Sequence, residues 1–284
     1  MKPKVLFIYD MEPELVPFWK DGLWAALEIL KADKDIDIEL YNLADDKPFN
    51  NLGAIFMLGW GAFGSNVDKF LRHESFKKTG WGPEKPGKLG LCIGGNAMPP
   101  ERAEEYDILF YETNWYKKQI EQHPNIVHAF GINANIYKPD SVSRYAESYP
   151  IWDYLSVGAF ANWKRQNLLC QKPGRKMAIG QIQKGNIQES IDIIGDLLLG
   201  GVGISDMVPP EDLVKYYYMA GKVYIPADIN GGGERAVLEA RACERKVEVE
   251  DDNPKLQELL TSPIWDHHYY AYQLKNGILS CLKK

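Results

Sequence analysis

Cysteine is scarce in this chain of 284 residues, which has four cysteines and no Cys-x-x-Cys pair. This pattern argues against a disulfide scaffold and against a zinc site, and a reducing cytoplasm is the expected location. Long apolar runs are missing as well, because the first one, Val5–Tyr9, is already interrupted at Asp10. It is too short for a signal peptide or a membrane span. With no low-complexity segment or short repeat either, the sequence predicts a soluble protein without a transmembrane segment.

The composition is that of a globular protein large enough for two domains. With 45% hydrophobic residues, the chain can bury one large core or two modest ones, and two domains are the better expectation. Apolar strand-like segments alternate with segments of helical periodicity, which favours an α/β architecture with mostly parallel sheets. The polar segment 138–149 predicts a linker between the halves. The predicted strands are Val5–Tyr9, Ile36–Tyr41, Ala54–Leu58, Leu89–Ile93, Ile108–Tyr111, Ile126–Ala129, Tyr154–Val157, Met177–Ile182 and Val223–Ile225.

The most informative segment is Tyr224–Cys243, in which a short apolar strand runs through Gly231-Gly232-Gly233 into a predicted helix that begins at Glu234. The first N–H groups of a helix lack intrahelical partners, and the helix dipole adds positive charge there. An anion bound there accepts hydrogen bonds from these N–H groups and is also attracted by the field of the helix dipole. A pyrophosphate is the natural ligand for such a site. The alternative is an ordinary strand-to-helix turn, and a glycine triplet alone does not separate the two interpretations.

The surrounding sequence resembles a known enzyme family. A predicted helix, Asp212–Ala220, precedes the strand, and the run that follows carries the signature Leu238-Glu239-Ala240. This order resembles the retaining family 4 glycosyltransferases and their relatives of GT-B fold. Gly158, followed six residues later by Lys164, resembles the strand-end glycine and phosphate-binding lysine of that family. The segment 128–139, HAFGINANIYKP, is similar to the one that closes its N-terminal domain.

The resemblance implies an α/β fold of two Rossmann-like domains that face a central cleft, in a compact version of the family. Residues 1–140 would form the acceptor domain, residues 150–264 the nucleotide-sugar domain, and residues 265–284 a helix that returns to the first domain. The implied activity is transfer of a sugar from a nucleotide diphosphate-sugar to a hydroxyl acceptor. It would be retaining and independent of metal or other cofactors.

Donor-binding residues follow from the same resemblance. Lys164 and the helix start at Gly231, Gly232, Gly233 and Glu234 would neutralise the charge of the leaving diphosphate, beside Gly158. Arg165 would add a second positive charge. Glu239 would accept hydrogen bonds from the ribose. The alternative for the two basic residues is a solvated pair.

The chain departs from the family at two positions. Gly231 stands where the family has the first of two glutamates, and Ala159 stands where it usually has an arginine. Glu234 or Asp228 would have to replace the missing carboxylate. The simpler interpretation of Glu234 is an acidic residue that interacts favourably with the helix dipole.

Three turns in the first half follow predicted strands and would line the cleft, since ligands of open α/β sheets bind at the carboxyl ends of strands. The alternative is that their glycines serve only tight turns. We assign no catalytic base, and Asp10 and Glu112, which follow strands, are candidates together with Glu234. The turn residues are Asp10, then Gly59, Trp60 and Gly61, then Gly94, Gly95 and Asn96.

The acceptor is open, and one segment bears on it. Lys69–Lys88 interleaves basic and aromatic residues in a chain whose net charge is −6. Such a segment can grip a phosphate backbone and stack a base, or it can be a solvated surface. A glycan, a small molecule and a hydroxymethylated base in DNA are the possible acceptors. Two other functions stay open: a sugar-nucleotide epimerase of similar fold, and a catalytically silent nucleotide-sugar-binding protein.

Overall fold

The computed structural model describes residues 2–16, 19–45, 49, 54–72, 87–95, 97–139 and 150–283. The chain divides into two compact units, the first formed by Met1–Gly131 with Asp266–Lys284 and the second by Ile132–Trp265. Most of the predicted linker, most of the basic segment Lys69–Lys88, and Asn96 lie outside the described residues.

In the described part of the first unit, six parallel strands form one sheet in the order β2-β1-β3-β4-β5-β6. Most of these strands are buried on both faces, as expected for parallel strands covered by helices. The strands are β1 (Lys4–Tyr9), β2 (Asp37–Asn42), β3 (Phe56–Gly61), β4 (Lys88–Ile93), β5 (Ile108–Tyr111) and β6 (Ile126–His128). The helices are α1 (Gly22–Lys31), α2 (Asn66–Arg72), α3 (Pro100–Ala103), α4 (Asn114–Gln119) and, from the end of the chain, α9 (His267–Leu282).

Helices α1 and α9 pack on the same face of this sheet and against each other. Asp21 begins α1 by accepting a hydrogen bond from the backbone N–H of Trp24, and Asp266 begins α9 in the same way. Gly277 lets α9 approach the sheet closely, because a Cβ there would lie 2.6 Å from the Phe110 ring. The apolar faces of both helices therefore close one core, while α2 and α4 contribute to a second core on the opposite face.

The second unit contains a five-stranded parallel sheet in the order β11-β10-β7-β8-β9. Three of the four α-helices described in this unit lie between successive strands, which is the Rossmann-like arrangement. The strands are β7 (Trp152–Val157), β8 (Lys176–Gly180), β9 (Val202–Asp206), β10 (Ala220–Ile225) and β11 (Lys246–Val249). The helices are α5 (Ile187–Leu199), α6 (Pro210–Met219), α7 (Glu234–Ala242) and α8 (Pro254–Leu259).

The predicted fold class, two Rossmann-like α/β domains, is confirmed. The nine predicted strands are present, all but Ile108–Tyr111 with shifted ends, but the sequence patterns missed β9, β11, α3, α4 and α8. These elements are short, and the strands β9 and β11 mix glycine or charged residues with apolar ones. No helix in the described ranges is both long and apolar enough to cross a membrane.

Candidate functional site

The glycine-rich turn connects the end of β10 at Ile225 to the start of α7 at Glu234. Gly232 and Gly233 have φ values of +44° and +130°, conformations that residues with a Cβ rarely adopt. Gly233 is the N-cap of α7 and makes no side-chain capping hydrogen bond. The turn therefore presents a helix N-terminus whose N-cap residue has no side chain, and a helix N-terminus favours an anion.

Gly231 is required by its surroundings. A Cβ at this position would lie 2.2 Å from the carbonyl oxygen of Trp163, which accepts a hydrogen bond from the Asp228 N–H at 2.9 Å. No side chain fits there without moving backbone. The absence of the family's first glutamate from this position is thus built into the local packing.

Lys164 lies at this turn, as its spacing from Gly158 predicts. Its Nζ donates a hydrogen bond to the Gly231 carbonyl at 2.8 Å. Gly158 has a φ of +150°, which residues with a Cβ rarely adopt, and it lies beside the Lys164 side chain, since a Cβ there would be 3.5 Å from it, at ordinary van der Waals distance. Burial lowers the pKa of Lys164, and the negative charge of Glu234 opposes this shift.

Beneath the turn lies a buried ion pair that the sequence analysis did not identify. Lys255 Nζ is 3.1 Å from Glu234 Oε1, and Lys255 is fully buried. A Cβ at Gly232 would lie 3.4 Å from Glu234 Oε2 and 3.5 Å from Lys164 Nζ, so both charged groups flank the same glycine. Glu234, a predicted catalytic candidate, is thus held by Lys255 in this structure.

Arg165 has a different place from the one predicted. Its guanidinium donates to both carboxylate oxygens of Asp252, at 2.6 and 2.7 Å, and its Nε donates to the Pro226 carbonyl at 2.7 Å. Asn253 adds hydrogen bonds of 2.8 Å to the carbonyls of Ala227 and Asp228. Arg165 and Asn253 therefore hold the loop that follows β10, and we do not include Arg165 among the groups proposed to contact phosphate.

A signal for the missed residues was present in the sequence. Asn253-Pro254 is a typical helix start, with an N-cap side chain followed by proline at the first helical position. The start of α8 follows β11, the neighbour of β10 in the sheet. Because carboxyl ends of parallel strands meet at one edge, Lys255 is placed beside the glycine-rich turn.

Glu239 lies within α7 and is buried. Its Oε2 accepts a hydrogen bond from the Tyr217 hydroxyl at 3.2 Å, and the ring of Tyr137 packs edge-on against Tyr217. Burial raises the pKa of Glu239 to about 7, although Arg235 and the Tyr217 hydroxyl oppose the shift. Glu239 is therefore a carboxyl group that changes charge near neutral pH.

The candidate residues of the first unit have mixed surroundings. Asp10 is exposed and accepts a hydrogen bond from the Asn66 side chain at 2.8 Å. Gly59 and Gly61 leave room for neighbouring side chains. A Cβ at Gly59 would lie 2.6 Å from side chains of α2, and a Cβ at Gly61 would lie 2.6 Å from a side chain in the turn before α2. Glu112 is half-buried next to Gly94. Trp60 is half-buried, and Gly95 has a φ of +89°.

Within the described ranges, no group of three or more His, Cys, Asp or Glu side chains could hold a metal ion. Asp33 and Asp35 are spaced as an Asp-x-Asp pair, but both accept hydrogen bonds from Lys275, at 2.8 and 2.6 Å. All four cysteines are free thiols.

No family model and no curated protein matches the chain. Solved structures do. Anabaena HepE, in complex with UDP and glucose, is 12% identical with a TM-score of 0.60, covering 99% of this chain and 90% of that one. An α-glucosyltransferase in complex with UDP and a 13-mer DNA containing an HMU base is 10% identical, with a TM-score of 0.53 and coverages of 99% and 91%. The UDP-GlcNAc 2-epimerase of Neisseria meningitidis, bound to UDP-GlcNAc, is 12% identical, with a TM-score of 0.57 and coverages of 99% and 100%. The chain therefore has the GT-B fold found in nucleotide-sugar glycosyltransferases and in this epimerase.

Proposed function

We propose that this protein is a glycosyltransferase that takes a sugar from a nucleotide diphosphate-sugar. The observation that carries the proposal is the ammonium group of Lys164 on the Gly231 carbonyl, at the start of α7. A lysine and a helix N-terminus at one glycine turn would both contribute positive charge and hydrogen-bond donors to a bound anion.

The diphosphate of the donor would lie at Gly232 and Gly233, where the lack of side chains lets the backbone N–H groups approach phosphate oxygens. Lys164 would neutralise the second phosphate. The buried pair of Lys255 and Glu234 fixes the floor of the turn. Because these groups are held before the ligand arrives, they need little reorganisation when charge develops on the leaving group.

In the transfer, the acceptor oxygen forms a bond to the anomeric carbon while the bond from that carbon to the diphosphate oxygen breaks. The nucleoside diphosphate leaves with the electron pair, and the acceptor hydroxyl gives its proton to an oxygen of the leaving phosphate. Lys164 and the start of α7 would stabilise the departing diphosphate, so we propose a metal-independent reaction. Retention of configuration is proposed from the family resemblance alone, and NMR of the first-formed product decides it.

We further propose that Glu239 binds the ribose. A buried carboxylate is a strong acceptor for two neighbouring hydroxyl groups, and Tyr217 holds its side chain in place. UDP is the first nucleotide to test, because HepE and the α-glucosyltransferase were solved with it.

Calorimetry with UDP tests the site. Lys164→Ala should weaken UDP binding about tenfold or more, since a charge-assisted hydrogen bond to phosphate is lost. Lys246→Ala is the matched control, because Lys246 is an exposed lysine at the start of β11. Equal UDP affinity in wild type and Lys164→Ala, with an unchanged melting temperature, would reject the assignment.

Epimerisation is the second candidate. The similarity to the UDP-GlcNAc 2-epimerase, which was solved bound to UDP-GlcNAc, covers the full length of that enzyme. Incubation of the protein with UDP-GlcNAc and no acceptor distinguishes the two functions. A new sugar-nucleotide epimer in the NMR spectrum indicates an epimerase, whereas hydrolysis with no epimer formed, or transfer once an acceptor is added, indicates a glycosyltransferase. Binding without any turnover in a panel of donors indicates a catalytically silent protein.

A further inference from the structure

Helix α5 carries an apolar stripe on its solvent side in addition to the apolar face that it buries. Ile193 and Leu197 pack in the core of the second unit. Ile187, Ile191 and Leu198 are instead 52%, 50% and 58% exposed. Their spacings of four and seven residues place them along one side of the helix. A helix that only covered a core would be polar at these positions.

The apolar stripe is long enough to contact another helix. Ile187 and Leu198 lie at its two ends, about three turns or about 16 Å apart along the helix axis. Leu199, which is 90% exposed, extends the apolar surface at the end of α5. Contiguous apolar patches of this kind on a soluble protein commonly mark interaction sites.

Gly195 leaves a dent beside the stripe, one turn after Ile191. A Cβ at Gly195 would have no heavy atom of the described neighbouring residues within 4 Å, so the space at this position is open. The distance between two packed helices depends on the side chains at their contact. A second helix can therefore come close to α5 at Gly195, or place a large side chain there.

The charged residues of α5 are all acidic. They are Glu189, Asp192 and Asp196, and the sequence of the helix contains no lysine or arginine. Asp192 and Asp196 are exposed. Neutral groups donate to Glu189 and Asp192, namely the Asn162 N–H at 2.9 Å and the Gln188 side-chain amide at 2.8 Å. The stripe therefore has a negatively charged border, which attracts a basic partner.

The same charges argue against a second copy of this chain as the occupant. A two-fold interface brings the same patch of both copies together, so the acidic borders would repel each other. A stable interface between two proteins also takes about 20–30 residues from each side, more than one helix stripe supplies. An anionic lipid surface is disfavoured by the acidic border as well.

We propose that the exposed side of α5 docks an amphipathic helix of a partner protein whose apolar residues are bordered by lysine or arginine. Apolar side chains of the partner would cover Ile187, Ile191 and Leu198, and one of them would fill the dent at Gly195. Its basic side chains would lie beside the acidic border. This docking surface does not depend on the proposed glycosyltransferase function.

Fluorescence anisotropy with a labelled basic amphipathic peptide, LKKLLKLLKKLLKL, tests the surface. The acidic peptide LEELLELLEELLEL, with the same leucine spacing, is the control ligand. We expect the basic peptide alone to bind, with an affinity that falls as salt is added. Ile191→Ala and Leu198→Ala should each weaken its binding about tenfold, because each variant loses apolar surface that the peptide would cover.

Gly195→Gln separates docking from folding. Glutamine forms helices better than glycine, and its side chain would enter open space, so the melting temperature should stay the same or rise. Binding of the basic peptide should nevertheless weaken about tenfold or more, because the glutamine side chain occupies the dent. Ile264→Ala is the matched control, since Ile264 is 43% exposed outside α5, and it should leave peptide binding unchanged.

Four outcomes would overturn the proposal. Failure of the basic peptide to bind the wild type, or binding that survives both Ile191→Ala and Gly195→Gln, refutes the docking surface. Equal binding of the acidic peptide refutes the charge assignment. A wild-type dimer in light scattering that Leu198→Ala dissociates would make the occupant a second copy. Binding to phosphatidylserine vesicles that Leu198→Ala abolishes, with no peptide bound, would make it a membrane.

Discussion

Replacement of Glu239 by glutamine tests the site through both stability and binding. Glutamine keeps the size of the side chain and an oxygen that accepts the Tyr217 hydroxyl, but it cannot ionise. In the folded protein, burial raises the pKa of Glu239 from 4.5 to about 7. Any pH dependence that differs between wild type and Glu239→Gln therefore arises from this carboxyl group.

The direction follows from proton linkage. A carboxyl group with a raised folded-state pKa binds its proton more tightly in the folded chain than in the unfolded one. Its contribution to stability is complete below about pH 4.5 and is lost as the pH rises through about 7. At about 1.4 kcal/mol per pKa unit, the full change is about 3 kcal/mol.

Urea unfolding of wild type and Glu239→Gln at pH 5, 6, 7 and 8 measures this change, with pH values set by the window of about 4.5 to 7. The variant should gain stability relative to wild type as the pH rises, by about 2–3 kcal/mol between the two extremes. Other titrating groups cancel in the comparison. Asp192→Asn, an exposed carboxylate on α5, is the control and should show no such trend. A constant difference between wild type and Glu239→Gln across this range would refute the raised pKa.

The same variant separates structural from ligand-binding roles. If the ionised Glu239 accepts ribose hydroxyls, Glu239→Gln should weaken UDP binding about tenfold at pH 8, where the wild-type carboxylate is charged. The ratio of the two affinities should shrink toward pH 6, because the wild-type group is then mostly protonated. The titration of the nucleotide phosphate cancels in this ratio. Equal affinities at pH 8 would make Glu239 a structural residue of α7.

Three further changes have defined outcomes. Gly231→Ala should lower the melting temperature by several degrees, because its Cβ would lie 2.2 Å from the Trp163 carbonyl oxygen, and a variant as stable as wild type contradicts this packing. Arg165→Ala should lower the free energy of unfolding in urea by about 1–3 kcal/mol, because the Arg165 donors bind Asp252 and backbone carbonyls. It should change UDP affinity less than Lys164→Ala does. A larger loss of UDP affinity in Arg165→Ala than in Lys164→Ala would make Arg165 a phosphate ligand. Asp68→Ala should cost about 3–5 kcal/mol in unfolding free energy because it leaves the Arg72 guanidinium and the Tyr106 hydroxyl without their buried acceptor, and a loss below about 1 kcal/mol would contradict that account. Finally, UDP binding and sugar transfer should be unchanged by EDTA, and loss of either on chelation that is restored by a divalent cation would overturn the proposed metal-independent chemistry.

The sequence by itself determined the local features of this protein. Strand and helix periodicity predicted nine of the strands, because apolar residues must alternate or cluster in a buried parallel sheet. The sequence also predicted the turn at Gly231–Gly233 and the helix that begins at Glu234, because positive φ values and a helix start depend on neighbouring residues alone. The spacing of Gly158 and Lys164 predicted that a lysine lies near this turn.

Only the tertiary structure decided which charges are paired. From the sequence, Glu234 was interpreted as an acidic residue at a helix start and Lys255 was not singled out, yet β10 and β11 are neighbours and bring the two residues together in a buried pair. The pairing of Arg165 with Asp252, 87 residues further along the chain, is likewise a result of the tertiary structure. Burial changes the energy of a charged group by more than any local pattern reveals, because the cost of removing it from water depends on what surrounds it in three dimensions.

The places of Trp60, Gly94 and Glu112 have the same origin. Trp60 lies near the end of β3, and Gly94 and Glu112 come directly after β4 and β5, but only the strand order and register bring these strand ends to one edge of the sheet. Pairing between strands far apart in sequence is a property of the whole sheet. Local periodicity therefore specifies the elements, while the packing of the sheet specifies which side chains share a site.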